Sequence, residues 1–380
     1  MTALTSPARP TLRSRVLPAV RIALPAWLLA RVLVTVAYLT ARYLEHHGRL
    51  DDALARTTVR QGLLAWDGAF YADIAQHGYA ALTEPALRFF PLTPILGRAV
   101  GWLGVGPRIG VVIVANLAAL AAGTLLVLLV RSEGFAAGVA TRSAWLVALA
   151  PSAFVLVLGY AEAVFLALAV GIFLAARRRR WLVVLALGLL AGLSRPGGFV
   201  VAVPIAIEAI RTWRAAPVAE RLRSLAATAS PFVGAALFLA WVDREFGDGL
   251  LPFRVQTRAN LKGSFTDPVS SIADAVDGLF HGHVGTGLHV PWMIVAVVLV
   301  VISFRRLPAS YGAFALVSLA SAVTSANLDS FERYALGAFP IVIVVALLLT
   351  DRRWWIAAIA TSSVVMTAYA TLAFAHAYVP

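Results

Sequence analysis

The residues that could do chemistry fall into a few short motifs, the densest being Trp66-Asp67-Gly68-Ala69-Phe70-Tyr71-Ala72-Asp73-Ile74-Ala75-Gln76-His77-Gly78-Tyr79. Helical spacing puts Asp67, Tyr71 and Ile74 on one face, and Phe70, Asp73 and His77 on another. Two readings of Asp67 are open: a functional ionisable group held at a membrane surface, or a plain helix N-cap on an interfacial anchor. Arg88-Phe89-Phe90-Pro91-Leu92-Thr93-Pro94 is a two-proline corner or a binding element. In Gly159-Tyr160-Ala161-Glu162, a carboxylate one turn into an apolar helix needs a partner or water. Arg195, in Ser194-Arg195-Pro196-Gly197-Gly198, could grip a phosphate, whose geometry a guanidinium matches; the plain alternative is an interfacial arginine. Arg333, in Asn327-Leu328-Asp329-Ser330-Phe331-Glu332-Arg333-Tyr334, is a second phosphate candidate or half of a surface pair with Glu332. His281, His283 and His289 carry no carboxylate or cysteine in a ligand spacing, so no metal site is expected there.

These motifs must be held by apolar helices. The chain is 60% hydrophobic and 13% charged, with a mean hydropathy of +0.83, whereas soluble domains carry roughly 25% charged residues. Apolar runs of about 20 residues recur from end to end, as spanning helices require. The run Val111 to Val130 is apolar but for Asn116 and Thr124, which excludes the alternation of a transmembrane barrel. The absence of cysteine excludes thiol catalysis, disulfides and Cys-ligated metals. The formal charge of +13 sits in short arginine clusters that set topology, not in a nucleic-acid surface.

Six clusters hold 18 of the 32 basic residues: Arg9/Arg13/Arg15/Arg21, Arg131/Arg142, Arg177 to Arg180, Arg211/Arg214/Arg221/Arg223, Arg305/Arg306 and Arg352/Arg353. Placing all six in the cytoplasm predicts eleven spans, over 22–43, 108–130, 134–157, 159–176, 181–194, 197–210, 224–243, 290–304, 308–326, 334–350 and 354–376. Residues 1–21 become a cytoplasmic tail with no cleavable signal evident. Residues 44–107 become a long first outer loop with amphipathic helices, in which Phe89–Val105 is re-entrant or surface-lying. Residues 244–289 become a second outer loop. The Pro and Gly residues after Ser194 predict a broken helix there, of the kind that lines a polar cavity. Under this topology all five motifs face the same, non-cytoplasmic side of a single membrane domain, 1–380.

In that order the motifs resemble the PIG-V-like mannosyltransferases, relatives of the GPI mannosyltransferase II type in the glycosyltransferase C superfamily. The resemblance rests on Trp66-Asp67-Gly68 with Phe70-Tyr71, Ile74-Ala75 and His77-Gly78-Tyr79, and on Phe89-Phe90-Pro91-Leu92 with Pro94. It continues through Pro151-Ser152-Ala153-Phe154 with Tyr160 and Glu162, Ser194-Arg195-Pro196-Gly197-Gly198, and Arg333-Tyr334 with Phe339-Pro340. Thr93 stands where that family usually has Tyr, and Ser194 where it has Thr. The resemblance implies an all-α polytopic membrane protein of glycosyltransferase C-type fold. It also implies a polyprenyl-phosphate-linked donor, most often of mannose, and inverting transfer, with Asp67 as the first-loop catalytic acid residue.

The mechanism expected from both readings gives Asp67 the role of general base and Arg195 and Arg333 the leaving phosphate. Tyr160 and Glu162 orient sugar or acceptor hydroxyls. Trp66, Tyr71, Asp73, His77, Arg88 and Glu332 support the site or bind the acceptor. No metal or other cofactor is expected. The partners are the lipid-linked donor, a glycolipid, glycan or protein acceptor, and the bilayer. High Ala, Val, Leu and Arg usage with a single lysine, Lys262, points to a bacterial plasma membrane. A lipid-linked-sugar flippase or a non-catalytic envelope subunit is the rival reading.

Overall fold

The computed structural model of the chain describes residues 12–50, 52–258, 270, 273, 276–277, 289–323 and 331–378. All regular structure among them is helical. α1 (Leu12–His46) leads into three short helices, α2 (Ala53–Gln61), α3 (Asp67–His77) and α4 (Leu92–Val100). Then come α5 (Pro107–Ser132), α6 (Ala137–Leu149), α7 (Glu162–Ala176), α8 (Trp181–Ser194), α9 (Ala202–Thr212), α10 (Val218–Phe246) and the short α11 (Leu251–Gln256). The chain finishes with α12 (His289–Arg306), α13 (Ala309–Ala322), α14 (Phe331–Gly337), α15 (Pro340–Leu348) and α16 (Arg352–Phe374).

Among the described residues four helices are long and apolar enough to cross a membrane: α1 from Arg15, α5, α10 and α16. At about 1.5 Å per residue, each of the four exceeds the roughly 30 Å hydrocarbon thickness. The other apolar helices are shorter, and three of the expected spans, 134–157, 197–210 and 334–350, are not single helices. The stretch 134–157 stops at Leu149, because Ala150 is extended (φ −54°, ψ 152°) ahead of Pro151. It continues as a 3-10 turn over Ala153–Leu156. The stretch 334–350 is α14 and α15, bent by 81°, where Pro340 has no N–H to continue the first helix. The expected break after Ser194 is present: Arg195 is extended, and Pro196–Val201 forms a 3-10 turn before α9.

α7 is enclosed by α5, α8 and α9, and most of its residues are buried. Toward its C-terminal end Phe173 meets Tyr311, Phe314 and Phe339, with ring centroids 4.6, 5.5 and 5.1 Å away. α4 lies directly on the start of α5. A Cβ added at Gly110 would stand 2.0 Å from the Gly97 carbonyl oxygen, so only a glycine permits this approach. That contact matters because α4 also holds α3, the helix that carries Asp67.

Candidate active site

α3 begins at a strained point. Trp66 precedes it with φ 57° and ψ −126°, a conformation that side chains with a Cβ seldom adopt. Asp67 is therefore the first helical residue and not the cap, and no side chain caps the helix. Its backbone N–H donates to Tyr160 Oη at 3.4 Å. At the far end of α3, Arg98 of α4 donates to the carbonyls of Ala75 (2.7 Å) and Ile74 (3.2 Å); Ile74 O also accepts the Gly78 N–H at 2.9 Å, so Arg98 helps to satisfy the last turn of the helix.

Glu162 opens α7 after the broken stretch 150–161. That stretch has carbonyls without helical partners, and apolar surroundings require that they find some. Asn116 of α5 donates to Val157 O at 2.9 Å, and Arg31 of α1 reaches Leu156 O at 3.3 Å and Asn116 Oδ1 at 2.9 Å. Gly159 N–H donates to Leu63 O at 2.8 Å, which ties the start of α7 to the turn before α3.

Helix breaks then bring the ionic groups together. Arg333 of α14 donates from Nη1 to Asp67 Oδ2 at 2.7 Å, and its Nε lies 3.3 Å from Glu162 Oε1. Arg195, at the break after α8, places Nη1 3.6 Å from the same Glu162 oxygen. Arg88 places Nη2 3.9 Å from Asp67 Oδ1. Aromatic rings fill the space between. Arg195 lies over Tyr334 (4.9 Å) and Phe165 (5.4 Å). Arg333 lies over Tyr160 (5.6 Å) and Tyr334 (5.7 Å), and Arg88 over Phe89 (4.6 Å). Tyr71 is buried one turn along α3. Burial, with the Glu162 and Asp67 carboxylates nearby, holds its hydroxyl well above the usual phenol range, so it stays a proton donor.

Three guanidiniums meet two carboxylates here, a formal surplus of one positive charge. The buried Nε atoms of Arg88 and Arg333 have no aligned hydrogen-bond acceptor. A buried donor left unpaired costs stability, so the arrangement favours an arriving anion.

The structure gathers Asp67, Tyr71, Arg88, Tyr160, Glu162, Arg195 and Arg333. It does not bring in Asp73, which pairs with Arg108 on an exposed surface, or His77, which is exposed at the end of α3. Trp66 points away from the cluster: its indole N–H donates to Ala373 O at 2.9 Å. The alternative of a surface Glu332–Arg333 pair is overturned, because both side chains are buried. Arg333 turns to Asp67 and Glu162, while Glu332 accepts from Tyr378 Oη at 3.1 Å. His281, His283 and Asn327 to Ser330 lie outside the described residues, as does the His289 side chain. Among the described residues no three His, Asp or Glu are placed to hold a metal ion. Arg31, Asn116, Phe165 and Tyr378 were missed from sequence. Arg31 and Asn116 carried a signal, as polar residues inside apolar runs.

No protein-family model matches this chain, and no curated protein does. The resemblance to PIG-V-like mannosyltransferases therefore rests on the ordered motifs alone. Among solved structures, similarity is found to two of an oligosaccharyltransferase from Archaeoglobus fulgidus. One is a crystal structure tethered to an acceptor peptide with an NVT sequon (14% identity, 82% of this chain, 51% of that chain, TM-score 0.41). The other is AglB with an inhibitory peptide and a dolichol-phosphate (15% identity, 77% of this chain, 48% of that chain, TM-score 0.37). The chain spans about half the length of either.

Proposed function

We propose that this chain is an inverting glycosyltransferase that moves a sugar from a polyprenyl-phosphate donor to a hydroxyl of a glycolipid, glycan or protein. The observation that carries this reading is the cationic surplus around Asp67, set among helix breaks in a membrane protein. The anion it calls for is the phosphate of a lipid carrier, which can reach the site laterally from the bilayer. Mannose is the sugar favoured by the resemblance of the motifs. The distribution of arginines favours an extracytoplasmic site in a bacterial plasma membrane, with the N-terminus inside.

The step uses the chain's own groups. Asp67 Oδ2 is engaged by Arg333, while Oδ1 has only the longer approach of Arg88, so Oδ1 is the oxygen that accepts the acceptor's hydroxyl proton. The acceptor oxygen forms a bond to the anomeric carbon. The bond from that carbon to the phosphate oxygen breaks on the opposite face, and its electron pair leaves on the phosphate. Arg88, Arg195 and Arg333 stabilise that growing negative charge. Arg88 thus joins the two arginines expected from sequence, because its Nε lacks a hydrogen-bond acceptor and its contact to Asp67 is long. Tyr160, Tyr71 and Glu162 orient sugar hydroxyls. A monophosphate surrounded by three guanidiniums needs no added metal.

The test is transfer from radiolabelled polyprenyl-phosphate-mannose into bacterial lipid extract by the protein in nanodiscs, with EDTA present, alongside Asp67→Asn. Label reaching a new product with wild type and not with the variant supports a metal-independent transferase that uses Asp67. Breaks at Ser194–Gly198 and between α14 and α15 also suit a lipid-linked-sugar flippase. Tight donor binding with neither transfer nor hydrolysis would favour that reading instead.

A further inference from the structure

The contact between Asp67 and Arg333 joins residues 266 positions apart in the chain, and a second bridge runs beside it. After α16 the backbone reverses through Ala375–Tyr378, with Ala377 N–H donating to Leu372 O at 2.8 Å. The His376 ring lies flat on Trp66, with centroids 4.2 Å apart and planes 1° from parallel. Its Nδ1 stands 3.1 Å from Thr58 Oγ1 of α2. Two residues on, Tyr378 Oη donates to Glu332 Oε2 at 3.1 Å, and its ring stacks on Tyr369 at 4.8 Å. The two residues gripped, Trp66 and Glu332, immediately precede Asp67 and Arg333.

We infer that Ala375–Tyr378 is a brace that fixes Asp67 against Arg333, with His376 and Tyr378 as positioning residues. Backbone conformation supports this. Trp66 and His376 both have positive φ, 57° and 59°, and such conformations persist only where surroundings over-determine them. At Trp66 those surroundings are the flat His376 ring and the Ala373 carbonyl that receives the indole N–H. If His376 is removed, Trp66 can relax toward ordinary backbone angles, which moves the first turn of α3 and the Asp67 carboxylate with it. Tyr378 acts at the other end. Burial and the Glu332 carboxylate hold its phenol above the usual range, so Oη remains the donor that secures Glu332. The structural claim stands by itself, whereas its catalytic consequence rests on the transferase reading above.

The experiment uses the full chain in nanodiscs and compares wild type with His376→Ala, His376→Phe and Tyr378→Phe. One readout is amide hydrogen exchange over residues 66–70 and 331–335; the other is steady-state turnover of polyprenyl-phosphate-mannose. His376→Ala is expected to exchange about tenfold faster over 66–70, since those amides lose a fixed local structure. Its kcat falls by about tenfold with donor KM within about twofold, because a displaced base costs rate and not binding. His376→Phe keeps a flat ring on Trp66 and recovers both readouts to within about threefold. Tyr378→Phe leaves 66–70 unchanged and raises exchange over 331–335 by about threefold. Wild-type exchange over 66–70 in His376→Ala overturns the brace, and so does equal loss in His376→Ala and His376→Phe. Should His376→Ala fail to fold, Tyr378→Phe decides: unaltered exchange over 331–335 overturns the brace. A wild-type protein that turns no donor over refutes the transferase reading and leaves the exchange result to decide the brace.

Discussion

α7 runs between two ionic clusters that are built from the same residue types and are put together differently. Glu162 opens the helix and Arg177 follows its last residue, about 22 Å away along the axis. At the Arg177 end, Glu133 receives Arg177 side-on at 2.7 and 2.8 Å and Tyr311 Oη at 3.1 Å. Glu208 receives Arg211 at 2.9 Å, Ser310 at 2.7 Å and Arg177 at 3.4 Å. Two acids balance two arginines, and α5, α7, α9 and α13 are stapled together. At the Glu162 end, three arginines face two acids, three of the four charge contacts are 3.3–3.9 Å long, and the buried Nε atoms of Arg88 and Arg333 have no aligned hydrogen-bond acceptor. A saturated network rigidifies a fold, whereas an unsaturated one is poised to receive a ligand.

Substitutions can break that contrast, and the strongest is Asp67→Asn. It keeps the shape and removes the base, so turnover should fall by about 10³-fold with donor affinity retained. Wild-type turnover would remove Asp67 from the mechanism. Next comes Glu208→Gln at the saturated end. It takes a buried, charge-assisted partner from Arg211 and Ser310 while Arg177 keeps Glu133, and it should cost about 2 kcal/mol of stability, read by thermal unfolding in detergent. Transfer per folded molecule should stay at wild type; a selective loss of transfer would mean that the two ends are not separate in function. Arg88→Gln cancels the charge surplus with little structural cost. Donor affinity should weaken by about tenfold or somewhat more, the worth of one charge-assisted hydrogen bond, measured by donor titration. Unchanged affinity would mean that the surplus cation is not a phosphate ligand. The smallest effect belongs to Asp73→Asn. The Asp73–Arg108 pair is about four-tenths exposed on each side, so its loss should cost under about 0.5 kcal/mol and leave transfer unchanged.

Much of this was written locally. The apolar runs alone determine a helical membrane protein, because lipid offers backbone groups no partners outside helices. Pro196 with Gly197 and Gly198 determines a break, and the motifs around Asp67, Glu162, Arg195 and Arg333 mark where chemistry can lie. The bend between α14 and α15 was missed, since Phe339-Pro340 was read as part of one continuous apolar span, although Pro340 carried the signal.

Tertiary structure decided the pairing. Asp67 and Asp73 are six residues apart on one helix, yet one meets Arg333 and the other meets Arg108. Glu332 and Arg333 are neighbours in sequence and turn to different partners. Helical period assigns a side chain to a face. Which partner that face meets, 266 residues away in the case of Arg333, depends on where helix breaks and close backbone contacts such as Gly97 on Gly110 set the packing. Short-range sequence does not contain that information.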